Sequence, residues 1–251
     1  MIGCLCLHGF TGAPWELEPL SRVLEEETDW LVYTPVLPGH DLMTDLSERE
    51  FRSRFKESDH KTWIHTADLA AKELFERCSK VYVIGFSMGG ILATYIAARY
   101  PVEKLVLLSA AAHYVNPAQL SKDMALIMKN MIKGQLKKQP WYPIFWSKIH
   151  TPVRSLSEFQ KVVRTIEPFI KEVEVPTFIA QGMKDSLVRK SSALFLYKEI
   201  AAKEKQLYFY EQSHHFIVHS ENQKQLIEDV LHFLLAEKIE PDVVWKSSGQ
   251  V

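Results

Sequence analysis

The chain has 251 residues, 47% apolar and 24% charged; both values are near the globular average, exclude a disordered chain, and leave room for one large domain or two small ones. Lys plus Arg number 30 and Asp plus Glu 31, for a net charge of -1, which argues against a dedicated nucleic-acid binder. Three cysteines cannot build a disulfide scaffold in so long a chain and suit a reducing, cytoplasmic setting.

In chain order, the first run, Met1-Ile2-Gly3-Cys4-Leu5-Cys6-Leu7, is apolar but has no basic region and no cleavage site after it. It reads as a strand over 3–8. The turn His8-Gly9-Phe10-Thr11-Gly12 follows, then a helix over 15–27 and a strand over 30–34. Pro38-Gly39-His40 is a second loop whose histidine reads as structural, and a helix over 61–78 comes next. From Val81 to Ala98 no residue is charged, close to the length of a membrane span. That stretch contains Gly85, Ser87, Gly89 and Gly90 and opens on Val81-Tyr82-Val83-Ile84, so it reads as a buried strand over 80–85, a turn, and a helix over 88–100. A strand over 104–108 ends this part.

Residues 111–174 break the alternation and hold no convincing strand. A structureless loop of that length is improbable in a compact domain. Met124, Ile127, Met128 and Met131 recur at helical spacing, a second helix is expected over 155–171 with Pro168 near its end, and Trp141, Tyr142, Phe145 and Trp146 lie between. The segment reads as a helical cap inserted into a core made of 1–110 and 175–251. Strands over 175–180 and 206–210 and helices over 191–202 and 221–237 complete the chain. Alternation of this kind implies a mostly parallel sheet of about six or seven strands with helices on both faces.

Chemistry gathers at four turns. Gly85-Phe86-Ser87-Met88-Gly89 matches G-x-S-x-G between an expected strand and helix, the setting of a nucleophile elbow. A hydroxyl attacks only once a base takes its proton, so a histidine and an orienting acid are required. Ser109-Ala110-Ala111-Ala112-His113, after the 104–108 strand, offers no carboxylate, whereas Asp185 follows the 175–180 strand closely. Ser213-His214-His215 follows the last expected strand; adjacent side chains diverge, so only one histidine is the base, and His215 is favoured with His214 as the alternative. Ser220-Glu221-Asn222-Gln223 resembles a capping box, placing His219 just before a helix as a surface or staple residue. The backbone N–H groups of Phe10 and Met88 are the candidate oxyanion donors. Cys4 and Cys6 share one face of a strand and read as core, not as metal ligands.

Together these pieces resemble cytoplasmic bacterial carboxylesterases and monoacylglycerol lipases of the α/β-hydrolase superfamily, over nearly the whole chain. The resemblance rests on Leu7-His8-Gly9-Phe10-Thr11-Gly12, Gly85-Phe86-Ser87-Met88-Gly89-Gly90, Gln181-Gly182-Met183-Lys184-Asp185 and Ser213-His214-His215. It implies an α/β-hydrolase fold with a cap over an acyl pocket, and ester hydrolysis through an acyl-enzyme with no metal and no cofactor. The substrate is expected to be a small ester with a short to medium acyl chain, monoacylglycerols included, with no nucleic-acid partner and no stable membrane insertion. A thioesterase, a carbon–carbon hydrolase or lyase, or a catalytically silent binder on the same fold are the competing expectations. Two departures stand out: His214 occupies the position before the histidine where such proteins often carry glycine, and the chain opens directly on the strand before the oxyanion turn, so the sheet should be short at that edge.

Overall fold

A computed structural model describes residues 1–40, 53, 58–112 and 153–247. Seven parallel strands form one sheet: β1 (Ile2–Leu7), β2 (Leu31–Tyr33), β3 (Lys80–Phe86), β4 (Lys104–Leu108), β5 (Thr177–Gly182), β6 (Lys205–Tyr210) and β7 (Asp242–Lys246). Their order is β2-β1-β3-β4-β5-β6-β7. On the N-terminal side the sheet therefore ends at the three-residue β2. The helices are α1 (Glu18–Glu27), α2 (His60–Arg77), α3 (Met88–Arg99), α4 (Val153–Ile166), α5 (Lys190–Glu199) and α6 (Gln223–Leu235).

The two-residue period of the strands sorts their side chains into two cores. Leu5, Leu7, Val81, Val83, Leu105, Leu107 and Ile179 face one way and pack with Trp63 and Ala67 of α2, Ile91 and Leu92 of α3, Val162 of α4 and Ala193 of α5. Cys4, Cys6, Tyr82, Ile84, Val106, Phe178 and Ala180 face the other way, against Leu20 and Leu24 of α1 and Val230 and Phe233 of α6. The thiols of Cys4 and Cys6 lie 4.0 Å apart in that second core; this contact and burial push the Cys4 thiol well above its ordinary pKa, so it stays protonated. Among the described residues no helix is long and apolar enough to cross a membrane.

Element edges depart from the sequence reading for identifiable reasons. The helix expected from residue 15 opens as a 3-10 turn, Pro14–Leu17, and becomes α-helical only at Glu18. The helix expected over 155–171 ends at Ile166 and tightens into a 3-10 stretch, Glu167–Glu172, because Pro168 has no N–H to continue the ladder. Strand β7 was not expected at all. The Met124–Met131 stripe and the Trp141–Trp146 cluster lie outside the described residues. Of the expected cap, α4 packs on α2 and α3.

Candidate active site

The chain runs from β1 outward to β2 and then back across to β3, so the connections leave β1 and β3 in opposite directions. A crevice opens beyond the carboxyl ends of two such strands, where ligands collect in open α/β sheets. Both turns that border it come from the motifs singled out above: His8–Gly12 after β1 and Ser87 after β3.

Ser87 joins β3 to α3 with φ 54, a left-handed value that costs a non-glycine residue and persists only where the surroundings enforce it. The enforcement is visible. Its N–H donates to Leu108 of β4 at 2.9 Å, and its carbonyl accepts from the N–H groups of Gly90 and Ala111 at 3.1 Å each. The side chain is thereby lifted out of both strand and helix, and its hydroxyl donates to Nε2 of His215 at 3.1 Å. The Nδ1–H of His215 donates to Oδ2 of Asp185 at 2.8 Å. The tautomer follows from these partners, since a carboxylate can only accept.

Asp185 is held as firmly as the histidine. Its Oδ1 accepts from the N–H groups of Leu187 and Val188, at 2.8 and 2.9 Å, and its Oδ2 also accepts from Nε2 of Gln181 at 3.1 Å. The carboxylate side chain is fully buried. Gln181, at the end of β5, was not anticipated from sequence; its place four residues before the acid was the available signal. The His215 ring is flanked by Phe86 and Phe216, with centroids 5.1 and 5.6 Å away.

His214 points elsewhere: its ring is exposed and its Nδ1 lies 3.2 Å from the carbonyl of Lys184. The expected capping box does not form. α6 begins at Gln223, and the Ser220 hydroxyl instead accepts from the N–H of His214 at 3.2 Å and donates to the carbonyl of Phe216 at 2.9 Å. Ser220 thus braces the histidine loop rather than the helix. His219 lies in the short 3-10 turn between them, its Nε2–H donating to the carbonyl of Trp15 at 3.2 Å.

Across the crevice, the turn after β1 closes through the Gly12 N–H to the Gly9 carbonyl, at 3.2 Å, with Thr11 at φ 60. His8 reads as expected, a strand-end histidine bonded to loops. Its Nε2 accepts from the Leu37 N–H at 3.1 Å, so Nδ1 carries the proton and donates to the Gly9 carbonyl at 3.0 Å. Burial pushes its pKa down to about 4 against the opposing pull of that carbonyl, which keeps the ring neutral. The Met88 N–H opens α3, where the helix itself supplies no acceptor.

Beside the turn, Phe10 stacks on Phe159 of α4 at 5.2 Å and meets Trp63 edge-on at 5.7 Å. The residue before Phe159 ties α4 to α2: Oε2 of Glu158 accepts from Nδ1 of His60 at 2.7 Å, and Oε1 from Lys161 at 2.7 Å. Burial pushes the Glu158 carboxyl up, but the bonds from Lys161 and His60 outweigh it and bring the pKa down to about 2. A depressed carboxyl stabilises the fold fully above its unfolded pKa of about 4.3 and ceases to do so as pH falls toward 2. Glu158→Gln is therefore expected to cost on the order of 1–3 kcal/mol near neutral pH and almost nothing near pH 2, read from urea unfolding across the pH range. An equal loss at both ends would show that packing, not charge, is what the residue contributes.

The profile of the alpha/beta hydrolase family matches residues 4–229. The chain belongs to this family. Among its alpha/beta hydrolase relatives, a carboxylesterase of Bacillus subtilis (strain 168) is 24% identical over 231 residues, covering 92% of this chain and 91% of that protein. A thermostable monoacylglycerol lipase of Bacillus sp. (strain H-257) is 25% identical over 240 residues, with 92% and 90% covered. Among solved structures, one from the metagenome-derived lipolytic enzymes LipS and LipT superposes with a TM-score of 0.73 at 26% identity, covering 93% of each chain. An esterase from Exiguobacterium antarcticum shares the fold, with a TM-score of 0.66 at 17% identity and coverage of 94% and 92%.

Proposed function

We propose that this alpha/beta hydrolase is a serine esterase that cleaves carboxylic esters through an acyl-enzyme, with Ser87 as nucleophile, His215 as base and Asp185 as the acid that orients it. The observation that carries this reading is the unbroken chain of hydrogen bonds from Ser87 through His215 to Asp185. The relatives named carboxylesterase and monoacylglycerol lipase support it.

In this mechanism Nε2 of His215 takes the hydroxyl proton as Ser87 Oγ bonds to the ester carbonyl carbon. The carbonyl oxygen becomes an oxyanion and accepts from the N–H groups of Phe10 and Met88. His215 then returns the proton to the departing alcohol oxygen, leaving Ser87 acylated. Water enters by the same route, its proton passing to His215 and then to Ser87 as the acid leaves. Asp185 stays ionised and stabilises the imidazolium formed twice in each cycle. The direct test is incubation with a fluorophosphonate: one phosphonyl group should appear on Ser87, and hydrolysis of a chromogenic short-chain ester should stop in step. Labelling elsewhere, or activity that survives full labelling, would overturn the assignment.

The acyl chain we infer is uncharged, linear and short to medium, as in a monoacylglycerol, beneath a cap formed by residues of 111–174. Phe10, partly exposed beside the oxyanion turn, is backed by the buried rings of Trp63 and Phe159, and an unpaired charge buried against it would be costly. Each methylene buried contributes about 0.8 kcal/mol, close to fourfold in kcat/KM. With one leaving group held constant, kcat/KM is expected to climb by about that factor per methylene, reach a maximum and fall. A flat profile, or preference for a charged acyl group or for triacylglycerol emulsions, would sink this substrate class. A cytoplasmic location suits the three free, buried cysteines Cys4, Cys6 and Cys78.

A further inference from the structure

Glu16 is an acidic residue in the 3-10 turn Pro14–Leu17, and it is 1% exposed. Burial of a carboxylate is expensive unless hydrogen bonds compensate. One partner is the oxyanion turn itself: the N–H of Gly9 donates to Oε2 of Glu16 at 2.8 Å. The carboxylate also accounts for the second glycine of His8-Gly9-Phe10-Thr11-Gly12. A Cβ on Gly12 would stand 2.0 Å from Oε2, 2.2 Å from Cδ and 2.4 Å from Oε1 of Glu16, so the turn wraps around this one side chain.

The consequence concerns the aim of a single N–H. The Gly9 carbonyl and the Phe10 N–H belong to one planar trans peptide and point in opposite directions. The Gly9 carbonyl is already fixed by the Nδ1–H of His8 and the N–H of Gly12. The peptide before it is fixed by Glu16 through the Gly9 N–H. With both sides of Gly9 tied, the Phe10 N–H has one direction left.

We propose that Glu16 is a positioning residue for the oxyanion hole: its carboxylate holds the Gly9 N–H and, together with the bonds on the Gly9 carbonyl, fixes the direction of the Phe10 N–H toward the developing oxyanion. This role rests on the acyl-transfer reading above. In this role Glu16 acts through the turn and not on the substrate. Its contribution therefore belongs to the transition state and not to ground-state binding.

The test compares the parent protein with Glu16→Gln, which keeps an acceptor oxygen for Gly9, and Glu16→Leu, which keeps bulk and loses the acceptor. Active sites are counted by fluorophosphonate titration, so that loss of folded protein does not masquerade as loss of rate. Per titrated site, kcat is expected to fall about 10- to 100-fold in Glu16→Leu and only a few-fold in Glu16→Gln, with KM within twofold of the parent in both. The inhibition constant of a simple alkyl boronic acid, whose tetrahedral adduct puts an oxygen in the oxyanion hole, should rise by the same factors. A merely structural role would lower the melting temperature and the titratable fraction while leaving kcat per site and boronate affinity unchanged, and that result overturns the proposal. If Glu16→Leu does not fold, Glu16→Ala, which also loses the acceptor, decides in its place, and parent values in both readouts overturn the proposal. Failure of the fluorophosphonate to label Ser87 of the parent is a different failure: it removes the esterase reading and the role of Glu16 with it.

Discussion

Ser87→Ala is expected to lower ester hydrolysis about 10⁴- to 10⁶-fold while leaving the melting temperature within a few degrees of the parent. The hydroxyl's one hydrogen-bond partner shown among the described residues is Nε2 of His215, so its removal disturbs little packing. His215→Ala should cost a similar factor, and the double variant should be no worse than either single one, because nucleophile and base act as a unit. His214→Ala is the internal control. Its ring is exposed and bonded to the Lys184 carbonyl, so activity should stay within a few-fold of the parent. A loss with His214→Ala as large as with His215→Ala would reverse the choice of base.

Asp185→Asn makes a sharper version of the same prediction. Oδ1 of Asp185 accepts from two backbone N–H groups, so an amide placed there turns its oxygen toward Leu187 and Val188. Its NH₂ then faces His215 and donates to Nδ1. That moves the imidazole proton to Nε2, where it meets the Ser87 hydroxyl and can no longer accept a proton. A loss of about 10³- to 10⁴-fold is expected with little change in KM, measured as full kinetics on one chromogenic ester. Retained activity would mean that the acid does not set the tautomer.

Six of the seven strands were legible in the sequence, the half-buried edge strand β2 among them, and those buried on both faces most plainly. Beyond the lysines that open β3 and β4, the strands β1, β3 and β4 are continuous apolar runs because helices cover each side of the sheet. β7 escaped for the opposite reason. It is an edge strand, Asp-Val-Val-Trp-Lys, with Val243 and Trp245 about half exposed, and its charged ends read as a solvated tail. The stacking of Trp245 on Phe209, with centroids 4.5 Å apart, and the ion pair of Lys246 with Asp229 at 3.0 Å show what it gains from pairing there.

The site divides along the same line. Ser87, Asp185 and His215 stood out because their chemistry demands particular residue types just after strands. Glu16, Gln181 and Ser220 did not, because they act by holding backbone or another side chain, and nothing about a glutamate between Trp15 and Leu17 announces that its carboxylate turns inward. Ser220 carried a signal that pointed the wrong way. A serine before an acidic helix start fits a capping box, and only the three-dimensional loop shows that the N–H it satisfies is His214's.

Gly89→Ala should reverse the usual sign of a glycine substitution in a helix. Inside α3 the exchange would ordinarily stabilise by about 1 kcal/mol, through helix propensity and a less flexible unfolded chain. Here the added Cβ would stand 2.0 Å from the carbonyl oxygen of Leu7 and 2.5 Å from that of His8. These atoms are backbone at the end of β1, a strand paired on one side with β2 and on the other with β3, so no rotamer change can relieve the overlap. Relief requires α3 to lift off the sheet. That would carry Ser87 and the Met88 N–H away from the turn after β1. A loss of roughly 3–5 kcal/mol is expected, above the ordinary cost of overpacking because the neighbour is backbone. Activity per folded molecule should fall with it, since the elbow and the oxyanion turn separate. Urea unfolding of the purified variant beside the parent measures the first effect, and kcat per fluorophosphonate-titrated site measures the second. A Gly89→Ala protein at least as stable as the parent would mean that α3 does not sit this close to β1, and the crevice geometry built on that contact would fall with it.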